Sequence, residues 1–191
     1  GLKLVELGCF DGRLLEEVAP WVASYVGLDA NWEGGLDRAR AKFANRKGVV
    51  LIEATSPAAF AVLPDRAFDV AAALETIEHL PPDMVPGFLD QLARVTKGHL
   101  LVTVPNELGL PFLIKFVGKR LRYGGGERYS LSEFIAAVLR RSDRIARDDH
   151  KGFDYRALIR EIAKRFDIVR VEGIPRLGLP PALSPTVGIL A

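Results

Sequence analysis

Short apolar runs alternate along the chain with stretches in which apolar residues return every three or four positions, and this alternation is its strongest structural signal. Leu2, Val5 and Leu7 end at Gly8, and past Gly12 the spacing of Leu14, Leu15 and Val18 is helical until Pro20. The rhythm continues with a strand over 23–29, a helix over 33–43 and strands over 49–54 and 68–74. Between Pro82 and Gly98, Val85, Phe88, Leu89, Leu92 and Val95 mark one stripe of a helix, with Gly98 expected at its C-terminal cap. A strand over 100–104 follows. Asp154 is the expected N-cap of a late helix whose apolar face is Leu158, Ile159, Ile162 and Phe166, with Lys164 and Arg165 in its last turn. Residues 168–171 and 186–190 read as closing strands. Strands that are apolar throughout suit a mostly parallel sheet covered on both faces, so the predicted class is α/β, doubly wound.

Residues 106–152 break the rhythm and read as an insertion or lid over the core. Within 108–123, Lys115, Lys119 and Arg122 recur at helical spacing opposite large apolar side chains. One reading is a helix lying on an anionic membrane surface. The other is a lid whose Phe112, Ile114 and Phe116 cover a ligand pocket while the charges stay in solvent. The Gly124-Gly125-Gly126 run reads as a hinge or as a passive loop. A helix over about 132–141 follows, for which Ser130 with Glu133 forms a candidate capping box and Ser132 competes for the cap. Arg140, Arg141, Arg144 and Arg147 are interleaved with Asp143, Asp148 and Asp149, the pattern of a solvated face. No aromatic residues interleave with this basic run, and nucleic acid is not the expected partner.

Composition narrows the picture. With 191 residues and 49% hydrophobic positions the chain makes one domain, 1–191. Its 26 basic and 24 acidic residues nearly cancel, so no global field advertises a polyanionic partner. One cysteine, Cys9, forms no internal disulfide, and no export segment opens the chain; the expected setting is cytoplasmic, with membrane association as the alternative carried by 108–123. The chain enters a strand pattern directly after Gly1, which leads us to expect an N-terminally truncated domain.

The candidate chemistry begins at Glu6-Leu7-Gly8-Cys9-Phe10-Asp11-Gly12, an acidic residue at a strand end followed by two glycines and a helix. Glycines there allow backbone to approach a ligand, in the crevice at the carboxyl edge of a doubly wound sheet. Asp29, ending the next strand, is placed to accept hydrogen bonds from ribose hydroxyls. The loop lacks the middle glycine of the dinucleotide fingerprint, which disfavours a dehydrogenase.

Glu6-x-Gly8-x-x-x-Gly12, Asp29 and the later Phe68-Asp69-Val70…Glu75-x-x-Glu78-His79-Leu80 resemble the successive motifs of class I S-adenosyl-L-methionine (SAM) dependent methyltransferases, of the type 11/12 group and close to quinone-biosynthesis O-methyltransferases. The resemblance implies a seven-stranded sheet of order 3-2-1-4-5-7-6 with the last strand antiparallel and helices on both faces. It implies SAM as cofactor, S-adenosyl-L-homocysteine (SAH) as product, and cofactor contacts from Glu6, Gly8, Cys9 and Gly12, from Asp29 and Ala30, from Glu53, Ala54 and Thr55, and from Leu74 and Glu75. The implied activity is methyl transfer to a small-molecule or lipid-linked acceptor, most readily at oxygen. The alternative is a non-catalytic SAM- or SAH-binding regulatory or scaffolding domain.

Methyl transfer from a sulfonium is an in-line displacement that rests on orientation and exclusion of water. An oxygen acceptor of high pKa needs a base, for which His79 is the first candidate and His150 the second. Glu75, Glu78 and His79 also have the ligand chemistry of a divalent metal, which would lower the acceptor hydroxyl's pKa. The competing reading is that Glu78 and His79 cap and orient the loop before Pro81-Pro82. Cys9 reads as a packing residue rather than a nucleophile.

Overall fold

The computed structural model describes the chain apart from residues 124–128, 149 and 176–177 and the side chain of Tyr123. The expected Gly124-Gly125-Gly126 hinge and Asp149 lie outside the described residues. Strands β1 (Leu2–Leu7), β2 (Val22–Asp29), β3 (Val49–Glu53), β4 (Phe68–Leu74), β5 (Thr96–Pro105), β6 (Arg170–Ile174) and β7 (Thr186–Leu190) form one sheet of order 3-2-1-4-5-7-6, as the family resemblance implies. Neighbours among β1 to β5 pair in parallel, and β7 runs antiparallel to both β5 and β6. The helices are α1 (Arg13–Val18), α2 (Gly35–Phe43), α3 (Val85–Val95), α4 (Leu110–Tyr123), α5 (Leu131–Val138) and α6 (Tyr155–Ile162).

Period-2 alternation sends successive strand residues to two separate cores. Val5, Leu28, Ala71 and Ala73 meet Phe88, Leu92 and Ile162 from α3 and α6 on one face. Leu4, Tyr25 and Ala72 meet Leu15 and Leu36 from α1 and α2 on the other. The insertion builds a third cluster, in which Leu108 and Phe112 pack on Ala136, Ala137 and Ile145, with Phe116, Tyr129 and Phe134 at its edge.

Several boundaries differ from the sequence expectation for identifiable reasons. The helix expected from Glu33 starts at Gly35, because Trp32–Gly34 forms a 3-10 turn in which Glu33 has φ 54°. Gly98 caps no helix: α3 stops at Val95 and Gly98 lies inside β5, at an irregularity in its pairing with β4, where a Cβ would stand 2.2 Å from the Asp69 carbonyl oxygen. Ser130 takes the cap of α5, with the reciprocal bonds of a capping box to Glu133. α6 ends before Phe166, which still packs against the core, and the strand expected over 168–171 begins at Arg170. Arg165, beyond the last turn of α6, pairs with Asp90 of α3.

Within the insertion, Phe112 and Phe116 face α5, and Ile114 points outward with 64% of its surface exposed.

Two glycine substitutions separate backbone crowding from helix propensity. Gly98→Ala forces β4 and β5 apart and is expected to cost about 1–3 kcal/mol, read as a lower denaturant midpoint at unchanged slope. Gly118→Ala, in α4 with nothing within 4 Å of the new methyl, is expected to stabilise by up to about 1 kcal/mol. Equal midpoints for Gly98→Ala and the wild type would contradict the account of the β4–β5 contact.

Candidate functional site

The order of strands reverses direction at β1 and β4, and the crevice above their carboxyl ends is the expected ligand position in such sheets. A cavity of about 910 Å³ opens there, lined from β1 by Glu6, Gly8, Cys9 and Phe10, from β2 by Asp29 and Ala30, from β3 by Ala54 and Thr55, and from β4 by Leu74, Glu75, Thr76 and His79. Its volume lies near the top of the about 300–1,000 Å³ range of small-molecule sites, which leaves room for more than one reactant.

Gly8 has φ 78°, and a Cβ on it would lie 2.1 Å from Thr76 Oγ1. Only glycine allows the loops after β1 and β4 to approach this closely. Gly12 also has positive φ, with its missing Cβ facing the Phe43 ring at 2.4 Å. It turns the chain into α1 and is not part of the cavity wall. The backbone N–H groups of Gly8 and Cys9 are both engaged by the Leu28 carbonyl, at 2.7 and 3.2 Å.

The Asp29 carboxylate is anchored at both oxygens. Oδ2 accepts from Phe10 N–H at 2.9 Å and Oδ1 from Asn31 N–H at 2.7 Å. Each carboxylate oxygen keeps acceptor capacity toward the cavity. Ala54 N–H donates to the Asp29 carbonyl at 2.8 Å, which aligns the ends of β2 and β3. Glu53 is exposed and does not line the cavity, so of the three third-strand positions only Ala54 and Thr55 reach it.

Glu6 is buried, and its carboxylate accepts a hydrogen bond from the Tyr25 hydroxyl. Burial pushes the Glu6 pKa up to about 7, opposed by the Tyr25 bond and assisted by the nearby charge of Asp29. Burial, with Glu6 and Asp29 adding to it, likewise raises the Cys9 thiol to about 12, which makes it a poor nucleophile and a packing residue. Tyr25 was not singled out from the sequence. The signal is the register: Glu6 stands opposite Gly27, and Gly27 leaves the space through which the Tyr25 ring reaches Glu6.

Also lining the cavity, Glu75 has φ 49°, with its N–H donating to the Thr103 carbonyl at 2.9 Å. Burial raises its pKa, while Thr103, Lys115 and His79 act in the opposite direction. The 3-10 turn Ile77–His79 then buries Glu78 and turns His79 to the cavity. His150, remote in sequence, stacks edge-on against His79 with ring centroids 4.4 Å apart. Among the described residues, Glu78, His79 and His150 offer ligand atoms within 4.8 Å of one another; Glu75 is not in that group, so the triad differs from the one the sequence suggests. Apolar Leu80, Pro81, Met84 and Phe88 also line the cavity, and among the described residues none from α4 does. Of these, the sequence reading used Phe88 only as a core position.

Comparison with known proteins identifies the family and agrees with the fold. The family model described as a methyltransferase domain matches residues 1–166. A ubiquinone biosynthesis O-methyltransferase of Rhodopseudomonas palustris (strain BisA53) is 31% identical over 120 residues, which are 62% of this chain and 46% of that protein. The chain thus matches about half the length of such curated relatives. Among solved structures, an S-adenosylmethionine dependent methyltransferase from Mesorhizobium loti superposes with a TM-score of 0.63 at 16% identity, covering 100% of this chain and 90% of that one. Magnesium protoporphyrin IX methyltransferase from Synechocystis PCC 6803, with SAH bound, gives 0.61 at 18% identity, covering 100% and 73%. The strand order, the glycine loop under Asp29 and the family match over most of its length agree, and the chain belongs to the class I SAM-dependent methyltransferases.

Proposed function

We propose that this chain moves the methyl group of SAM to a hydroxyl oxygen of a small-molecule or lipid-linked acceptor, a phenolic quinone precursor being the class that its curated relatives' name suggests. The observation that carries the reading is a single cavity lined both by Asp29 and the Gly8 loop and by Glu75 and His79. Asp29 holds the ribose, the Gly8 loop gives backbone access beside the methionine part, and Leu80, Pro81, Met84 and Phe88 exclude water around the acceptor ring. As the new C–O bond forms, the S–CH₃ bond breaks with its electron pair left on sulfur, and His79 receives the acceptor's proton with His150 behind it.

In the alternative reading, Glu78, His79 and His150 form a two-imidazole, one-carboxylate set that fits a divalent ion such as Mn²⁺, Fe²⁺ or Zn²⁺, and His79 then serves as a ligand in place of acting as the base. Such an ion would lower the pKa of the acceptor hydroxyl. Glu75 stays outside that set and faces the acceptor.

The outer face of α4 supports peripheral contact with a bilayer as a second element of the reading. Leu110, Ile114, Val117 and Leu121 follow one another along a single side of the helix and are exposed, opposite the packed Phe112 and Phe116. Arg122 flanks this stripe on one side and Arg120 on the other, and α4 carries no acidic residue. An apolar strip with basic borders is matched to an anionic lipid surface, where a prenylated acceptor resides. Among the described residues no helix is long and apolar enough to cross a membrane.

Three experiments test these points. In calorimetric titration of SAH, Asp29→Ala is expected to weaken binding at least about tenfold, the worth of a charge-assisted hydrogen bond; unchanged affinity would remove the cofactor assignment. Because Glu6 titrates at about 7 in the free chain, and a cationic ligand beside it favours the ionised form, SAM binding should release a proton. Affinity should then rise about tenfold between about pH 5.5 and 7.5. Glu6→Gln should flatten that dependence, and an equally steep slope in the variant would refute the Glu6 assignment. For the lipid surface, co-sedimentation with vesicles containing phosphatidylglycerol should be strong for the wild type and lost in Ile114→Glu/Leu121→Glu. Retention of the double variant on vesicles, or no wild-type binding, would exclude the α4 surface.

A further inference from the structure

The segment that carries His150 joins the insertion to α6, and its backbone closes on itself. Lys151 N–H donates to the Asp148 carbonyl at 2.8 Å and Phe153 N–H to the His150 carbonyl at 3.1 Å. These local bonds shape the turn but do not direct it toward His79, since a turn held by its own hydrogen bonds can rotate as a unit. Its direction comes from two long side chains. On the outer side Lys151 lies 2.8 Å from Glu133 of α5 and 5.2 Å from the centre of the Tyr129 ring. On the inner side Arg147 donates through Nη2 to the backbone carbonyl of Glu78 at 2.5 Å. The same guanidinium lies 4.7 Å from the centre of the Phe153 ring, which is buried in the main core.

We infer that Arg147 is a positioning residue that holds His150 against Glu78 and His79 and thereby sets the geometry of the divalent-ion site; this rests on the metal reading given above. Arginine suits the task because its planar fork can donate to a carbonyl while its face lies on an aromatic ring, whereas lysine offers the donor without the flat contact. Groups that orient metal ligands without touching the ion commonly change affinity 10- to 100-fold.

The test is calorimetric titration of Mn²⁺ into the SAH-saturated full chain, with SAH affinity measured alongside. Arg147→Met is expected to weaken Mn²⁺ binding at least about tenfold while SAH affinity stays within about twofold, and Arg147→Lys should fall between the two. A merely structural role would move SAH affinity together with Mn²⁺ affinity. Mn²⁺ affinity in Arg147→Met within about twofold of wild type overturns the proposal. If the Met variant also loses SAH, the Lys variant decides: weaker Mn²⁺ binding with SAH retained supports the role, and unchanged Mn²⁺ binding overturns it. His150→Ala separates the two layers. Loss of Mn²⁺ affinity in His150→Ala but not in Arg147→Met removes only Arg147, whereas a wild type that takes up no Mn²⁺ removes the metal reading and this proposal with it.

Discussion

The approach of the loop after β1 to the loop after β4 is the constraint on which the site depends. Gly8 and Thr76 meet at a distance that leaves no space for a Cβ, because that atom would lie 2.1 Å from Thr76 Oγ1. The first loop runs on to the N–H of Phe10, which fixes Asp29, and the second runs on to His79. The two loops therefore share one cavity because the Gly8 backbone lies against the Thr76 side chain. Parallel pairing of β1 with β4 provides the frame for that contact, and the small Ala71, Ala72 and Ala73 in β4 allow both layers of helices to sit close to it.

What could be read along the chain was whatever is local. Apolar runs, glycine loops and Asp29 at a strand end carry their meaning in a few consecutive residues, and the doubly wound α/β class they imply is the one observed, while the strand order came from the family resemblance. What could not be read depends on neighbours distant in sequence. Gly98 looks like a cap because it follows a helical stripe, yet its reason is the Asp69 carbonyl on the adjacent strand. Phe112, Ile114 and Phe116 are all apolar, but periodicity alone does not say which face of α4 finds a partner; α5 selects Phe112 and Phe116 and leaves Ile114 outside. His150 was named from the sequence for its chemistry, while its stacking on His79 needed the fold. The alternative metal reading of the sequence grouped Glu75 with Glu78 and His79 by adjacency, where the structure brings His150 together with Glu78 and His79.

Burial gives the cofactor end its electrostatic character. Glu6 and Tyr25 form a pair in the interior directly under the glycine loop, and Cys9 shares that environment. Each of the three groups is driven toward its neutral form, chiefly by loss of water. Asp29 differs in kind, since it is less buried and each of its oxygens accepts a backbone N–H. The site thus sets a carboxyl that can change charge near neutrality beside a carboxylate held by hydrogen bonds. Under the proposed cofactor reading those are separate tasks: one responds to a cationic ligand, while the other orients the ribose.

The insertion connects to this arrangement from outside through side chains rather than through cavity walls. Lys115 of α4 pairs with the buried Glu107 that follows β5, and it is close enough to Glu75 to oppose that carboxyl's upward shift. Arg147 holds the Glu78 carbonyl, and Lys151 reaches back to Glu133. Glu133, drawn down to about 2 mainly by Lys151 and by its capping bonds to Ser130, stays ionised over the physiological range and keeps that tie intact. The insertion thus has its own apolar cluster and is tied by charged contacts to the loop that carries Glu78, so the apolar outer stripe of α4 and the histidine of the inner turn belong to one packed unit.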